Sequence, residues 1–595
     1  MSLRSKAINV ICILAGLVTL TQSRALFAPY LLAAVFSLWC LTKEDPSGRD
    51  KRENRAIVIL SLITAFFILI ANYQIWLHPL MPEIRTPMFV RIVKLLLIAV
   101  IFTGAYFASK NILVFAADQK PWLTVPVQGE NRSGSTAKYF LIPFILISLT
   151  YLVIYYLSYY PGLLSLDSID QIDQIFTGVY SNHQPFYHTM LISLILGPAL
   201  KLSGNMNTAV SCYVVFQLLF LAAVFAFAVR TMADLNLPKW TMITATVWYI
   251  IMPFHIMFSF TVWKDVYFGA FVALLILFFI RLSGNIGNQT ANIVGFAACG
   301  PFICLIRSNG LFTYIFVFLA LLLLAPRMKK LLVIMLITIA ASFILKHPVL
   351  SAVGVTQPDT VESLSIPLQQ ISRVITEDGN IGDEDRAFLA GFMDIEAVKD
   401  TYNPDISDPI KNMIRDYGHE NVLTDNIGTF LAVYARTFLK NPMTYIVAWV
   451  DSTCGYWNSG YNYWVWFWDV ESNSYGIEQT IISPAVRTAM DQYLWLYYNN
   501  PVMQLFTATG MFFWIVLFLF IRCIFTKNTT GIIAAVPILA IILSLVISSP
   551  VYAEFRYMYA LFCVLPALIA QTAVVPLRTA GDEGATSKNE NEVLT

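Results

Sequence analysis

Charge is what this sequence has least of: 13% of its 595 residues are Asp, Glu, Lys or Arg, against 57% that are hydrophobic. Soluble globular chains carry roughly a quarter charged residues, so an ordinary water-soluble fold is excluded and a polytopic membrane protein is implied. Histidine is scarce, at 6, and the eight cysteines (Cys12, Cys40, Cys212, Cys299, Cys304, Cys454, Cys523 and Cys563) lack paired spacing, all but Cys454 falling in apolar runs. That pattern offers neither a disulfide framework nor a zinc site. No internal repeat is visible, which argues against the inverted-repeat transporters. The formal net charge of +1 gives no sign of a nucleic-acid partner, and none is expected.

Apolar runs are what the chain has in abundance. A span needs roughly 17 to 25 apolar residues to cross the hydrocarbon core. Candidates lie near 7–21, 26–41, 56–72, 91–108, 139–157, 209–229, 241–258, 264–281, 290–306, 311–325, 331–346, 503–524, 531–549 and 555–575, giving about fourteen spans. The first run follows Met1-Ser-Leu-Arg-Ser-Lys6 without a small-residue cleavage site, so it is expected to stay as a helix. The run 186–203 is also apolar, but it is short, contains Gly197-Pro198 and would invert the parity of everything after it. It is read as a re-entrant or juxtamembrane helix.

Basic residues cluster in short loops at Lys43 to Arg55, Lys110 to Lys138, Arg230 with Lys239, Arg327 to Lys330, and Arg522 with Lys527. The positive-inside rule then places both termini in the cytoplasm. The expected organisation is an N-terminal four-helix region (1–138), a transmembrane core (139–346) with an outer loop at 158–208, and an extracytoplasmic domain (347–502), α-rich or mixed. Closing helices (503–577) and a polar, disordered tail (578–595) follow. From His347 to about Pro501, acids and turn-forming residues replace apolar runs, and the aromatic stretch around 445–468 is expected to return to the membrane surface.

The outer face collects the ionisable residues that the span interiors lack. The stretch after Tyr160-Pro161-Gly162 carries Asp167, Asp170 and Asp173, every third residue, on roughly one face of a helix. Two readings stand: a solvated acidic face, or an active-site loop. Lys264-Asp265 opens another span, as a helix-dipole anchor or as a site where Asp265, through a metal, or Lys264 directly binds a phosphate. Arg307 lies at a membrane edge, where arginine is costly without an anion, and is a snorkelling anchor or an anion ligand. Arg556 is an anion ligand on the same face or the partner of Glu554. Together these form an acid/base and anion-binding set suited to a phosphate-bearing lipid. A proton- or ion-coupled transporter more often places its charges at the midplane. Tyr456, Trp457, Tyr461, Tyr463 and Trp464 are sugar-stacking platforms or an interfacial aromatic belt. His183 and His188 read as satisfied polar residues rather than metal ligands.

In order and spacing, Tyr160-Pro-Gly, Ser165-Leu-Asp167-Ser168, Trp263-Lys-Asp265, Arg307-Ser-Asn-Gly310, Ser365-Ile-Pro-Leu-Gln-Gln370 and Arg556-Tyr557 resemble the GT-C superfamily of integral-membrane glycosyltransferases. More narrowly, they look like a group of uncharacterised bacterial membrane proteins within it, common in Gram-positive species. The resemblance covers roughly 139–575. It implies an all-α, GT-C-like bundle in the cell membrane that transfers a sugar, on the extracytoplasmic side, from a polyprenyl-phosphate-linked donor to a cell-envelope glycan, lipid or protein. It makes Asp167 the candidate base, beside Lys264, Asp265, Arg307, Arg556 and Asp170 as the candidate donor-phosphate or metal ligands read from the residues, with a divalent cation such as Mg or Mn as a candidate cofactor. Two departures stand out: Asp-Ser-Ile-Asp replaces an adjacent acid pair, and four extra helices precede the core. A glycan transporter or flippase, and an oligosaccharide polymerase or ligase, are the alternatives.

Overall fold

In hydrocarbon every backbone N–H and C=O must find its partner within the chain, and a helix does this locally. The computed structural model is accordingly helical, and its only β pairings among the described residues are isolated bridges. The structure describes residues 3–22, 27–43, 49–77, 87–118, 136–458 and 465–573. Ten helices among these are long and apolar enough to cross a bilayer, or eleven if the bent pair Lys239–Ile251 and Pro253–Ser259 is one span. Three shorter apolar helices, Phe27–Thr42, Gly310–Leu324 and Thr509–Phe525, stand beside them. The chain is an all-α polytopic membrane protein.

Contacts between helix ends give the bundle two faces. At one, Arg281 pairs with Asp234 at 2.6 Å, Arg522 donates to the carbonyls of Ala116 and Asp118, and Asn528 donates to that of Gln571. At the other, the Gln217 amide donates to the carbonyls of Phe258, Ser259 and Thr261. There too, Asn309 meets Ser544, and Thr509 meets the Gly455 carbonyl. Asp167, Lys264, Arg307 and Arg556 all belong to this second face.

Residues 186–203 form one continuous helix, Phe186–Ser203, with Pro198 inside it. Gly197-Pro198 does not interrupt it, and by length and composition the segment read as re-entrant or juxtamembrane qualifies as a span. Its two ends nevertheless lie on the same face. Tyr187 donates to the Leu345 carbonyl at 3.0 Å, and Asn207, just past the other end, donates to that of Glu478, in the loop that pairs with Tyr160 through Thr480.

The segment after 347 is α-rich and has a core of its own, built from Leu368, Ile371, Val374, Leu389, Ile410, Ile414, Phe430 and their neighbours. The helix Pro442–Trp457 then leaves it for the bundle: Val447, Val450 and Cys454 join the main core and Trp449 Nε1 donates to the Val546 carbonyl at 2.8 Å. The N-terminal helices dock at the same place, through Tyr30 to Asn458 (2.6 Å) and Tyr73 to Asp451 (2.8 Å).

Candidate functional site

The chain leaves the helix Lys138–Ser158 through Tyr159, a cis Tyr160-Pro161 bond and Gly162. Gly162 has φ +136°, and a Cβ there would stand 2.6 Å from Val214 Cγ2, so only glycine fits. The next two residues are threaded between two other segments. Leu163 exchanges backbone hydrogen bonds with Phe260 and Val262 at 2.9 Å each, and Leu164 accepts from Glu471 N at 2.8 Å. Ser165 and Ser168 fix the start of the acidic helix Leu166–Thr177: Ser168 Oγ accepts from Ser165 N and donates to the Val262 carbonyl, while Trp263 Nε1 donates to Ser165 Oγ at 2.8 Å. These ties set Asp167 beside Lys264.

The geometry there is compact. Asp167 Oδ2 lies 2.7 Å from Arg556 Nη1 and 3.7 Å from Lys264 Nζ. Its Oδ1 accepts from Gln184 Nε2 at 2.9 Å, and Gln184 Oε1 accepts from Lys264 Nζ at 2.5 Å. Gln184 is buried, so its amide links the acid to the amine. Behind this pair Arg307 is ion-paired to the fully buried Asp265, and its guanidinium lies 4.5 Å from the centroid of the Tyr557 ring. Arg556 lies over Trp263 at 5.1 Å and 3.3 Å from Glu554 Oε1. Three carboxylates therefore face three cations. Lys346 stands next to them, its Nζ donating to the carbonyls of Arg307 and Ser308.

Burial alone would push the Asp167 carboxyl up, but Lys264 and Arg556, with hydrogen bonds from Arg556 and Gln184, outweigh it and hold the group well below the usual range. Glu554 goes the other way: burial dominates and pushes it up to about 7 despite Arg556. Asp170 is raised, by partial burial and by the charge of Asp167. The side chain of Asp167 keeps 28% of its surface exposed while that of Asp265 keeps none, so Asp167 is the carboxylate that a substrate can reach.

Asp167, Lys264, Asp265, Arg307 and Arg556 are thus brought together from four distant parts of the chain. Asp170 sits one turn further along the helix, exposed and without an ion pair among the described residues. Asp173 accepts from Tyr475. Tyr456 and Trp457 are not stacking platforms. The Tyr456 ring is fully buried with its hydroxyl bonded to Ser549 and the Val551 carbonyl, and Trp457 is buried against Trp449. Their helix turns inward to fill the core instead of lying along the surface. Tyr461, Tyr463 and Trp464 lie outside the described residues. His188 is a satisfied core residue, its ring nitrogens 3.0 Å from Gln171 Oε1 and from the Tyr213 hydroxyl, whereas His183 is exposed.

A divalent cation does not fit this arrangement. Mg prefers six oxygens and takes one or two carboxylates plus substrate phosphates. Asp265 Oδ2 is a buried oxygen without a hydrogen-bond partner among the described residues, but Arg307 neutralises its carboxylate, and no three His, Cys, Asp or Glu residues there converge as a metal site. Gln184 escaped the sequence reading: a polar residue just ahead of an apolar helix was the available signal, but only the fold brings it to both Asp167 and Lys264.

No curated protein and no solved structure matches the chain. A family profile does, over residues 174–589, a range that contains Lys264, Asp265, Arg307, Glu554 and Arg556 and begins seven residues after Asp167. Since the match spans well over half of the sequence, the chain belongs to DUF6020, a family of unknown function.

Proposed function

We propose that the chain is a GT-C-type membrane glycosyltransferase that moves a sugar from a polyprenyl-phosphate donor to a cell-envelope acceptor. The observation that carries this reading is the partly exposed Asp167 carboxylate set against Lys264 and Arg556, with Arg307 behind them, at one face of an apolar bundle. A lipid phosphate reaching up from the bilayer meets cations there, and an acceptor hydroxyl meets a carboxylate.

The reaction is a single inverting displacement. Asp167 takes the acceptor proton while the lipid phosphate leaves from the opposite face of the sugar, a contribution of about 10²- to 10⁴-fold for a positioned base. Lys264 and Arg556 stabilise the charge that develops on the leaving phosphate. The proposed topology has about fourteen spans with both termini on the side opposite the site; the described residues supply ten helices long and apolar enough to cross, or eleven with the bent pair, and three shorter apolar ones. Lys51, Lys110, Lys239, Lys329 and Lys527 mark the face opposite the site. The positive-inside rule makes that face cytoplasmic and the site extracytoplasmic, in the cell membrane.

The test is to delete the gene, restore it intact or as Asp167→Asn at equal membrane abundance, and compare envelope glycans and lipid-linked sugars by mass spectrometry. The expected result is loss of one sugar from an envelope glycan and accumulation of its polyprenyl-phosphate donor, reversed by the intact copy alone. Full restoration by Asp167→Asn rejects the base. A whole glycan precursor stranded inside the cell identifies a transporter, and a stranded lipid-linked oligosaccharide outside it a polymerase or ligase.

A further inference from the structure

Every cation at the site is already engaged. Arg307 is held by Asp265, and Lys346 by two carbonyls, so neither is free to take a ligand without leaving a buried charge or carbonyl unpaired. Lys264 and Arg556 are the two that border the partly exposed rim, and both are turned to the same carboxylate oxygen, Asp167 Oδ2. Lys264 also holds Gln184 Oε1 and Arg556 also holds Glu554, but Asp167 is the one charged group that an anion arriving at the rim has to displace from both.

We propose that the Asp167 carboxylate occupies the anion site at rest, and that a lipid phosphodiester binds by exchange, taking Lys264 and Arg556 while Gln184 retains Asp167. This rests on the transferase reading for the identity of the anion. On the two cations one negative charge replaces another, and the displaced Asp167 carboxylate, still held by Gln184, is left as the uncompensated charge. A phosphodiester carries one charge, which suits it to that replacement; a second charge on a free phosphate finds no unengaged cation. The Gln184 Nε2 contact goes to the other oxygen, Oδ1, and is not itself exchanged, while Gln184 Oε1 keeps Lys264 close to the site. Once the two cations have moved to the phosphate, Asp167 loses the charges that hold it ionised and becomes a stronger base. Donor binding and base activation are then one event.

The experiment needs no sugar transfer. The full chain is purified in detergent, and binding of dihexyl phosphate and of inorganic phosphate is measured by titration calorimetry for the intact protein, Asp167→Asn, Asp170→Asn and Arg556→Gln. Asp167→Asn is expected to bind dihexyl phosphate about tenfold more tightly than the intact protein, the scale of one charge-assisted contact no longer competed for. Asp170→Asn removes the same charge one turn away without freeing a cation, and is expected to tighten binding by clearly less than Asp167→Asn, since an exposed charge that makes no direct contact with the cations acts on them only weakly. Arg556→Gln is expected to lose binding. Equal or weaker binding by Asp167→Asn overturns the exchange, as does equal tightening in Asp170→Asn, which would be the effect of net charge alone. Tightening confined to inorganic phosphate overturns the lipid source. Should Asp167→Asn not fold, as judged by gel filtration, Asp167→Ser makes the same test. Tightening in a protein whose Asp167→Asn form leaves envelope glycans unchanged keeps the exchange and removes the transferase; glycan loss without tightening does the reverse.

Discussion

Gln184 links two of the side chains that the proposed reaction uses, donating to Asp167 at 2.9 Å and accepting from Lys264 at 2.5 Å. An amide can serve both because it carries a donor and an acceptor; a carboxylate cannot. Gln184→Glu keeps the contact with Lys264 but sets a second negative oxygen against Asp167 Oδ1, which raises the Asp167 carboxyl and moves the acidic limb of the pH–rate profile to higher pH. Gln184→Ala leaves the limb closer to its place and loses positioning, at a cost of about 10²-fold in rate if the carboxylate shifts by 1 Å. Transfer measured in membranes over a pH series separates the two; an unmoved limb in Gln184→Glu counts against the contact. Glu554 supplies a second pH effect of known sign. Its folded carboxyl is raised from 4.5 to about 7, so the folded state keeps a proton that the unfolded state releases, and stability falls as pH rises between those values, by about 3 kcal/mol at most. Asp167, held low, contributes in the opposite sense and only in acid, below the ordinary carboxylate range. Thermal unfolding at pH 5 and pH 8 is therefore expected to give the higher midpoint at pH 5, with the gap narrowed in Glu554→Gln.

The turn at Gly162 decides whether the acidic helix meets Lys264 at all. With φ +136° and Val214 Cγ2 2.6 Å from any Cβ, Gly162→Ala adds backbone strain of about 1–3 kcal/mol and overpacking of a similar size. The expected outcome is a lower thermal midpoint and loss of complementation, because the Leu163 and Leu164 bridges would have to shift. A variant that restores the glycans fully with an unchanged midpoint would show that the turn is dispensable. Tyr160-Pro-Gly was legible in the sequence as a break after an apolar run, and among the described residues the expected apolar runs are largely helical, 241–258 as a bent pair, because in a membrane composition and length nearly dictate the secondary structure. Partners were less legible. Arg307 could have been an anchor, and Arg556 the partner of Glu554 alone. The fold gives Arg307 to Asp265 and shares Arg556 between Glu554 and Asp167, a choice made by helix register across 389 residues of sequence. Tyr456 and Trp457 misled for a related reason: an aromatic run reads alike whether its helix lies on a surface or turns into a core.

At the scale of the whole molecule, the two faces differ in what they carry. One has the charged constellation and the separate core around Leu368 and Phe430. The other has short loops rich in Lys and Arg, and its buried charges are tied locally, Arg281 to Asp234 and Arg522 to the Ala116 and Asp118 carbonyls. If basic loops stay in the cytoplasm, Lys399 in the separate core domain faces out and Lys329 at the start of its helix faces in. In a background with the native cysteines replaced, a membrane-impermeant maleimide should label Lys399→Cys in intact cells and Lys329→Cys only after permeabilisation. The reverse pattern would put Asp167 and its cations on the cytoplasmic side, where soluble nucleotide-sugars are available and a flipped lipid carrier is not needed. A soluble nucleotide-sugar would then be the expected donor, with every contact at Asp167 unchanged.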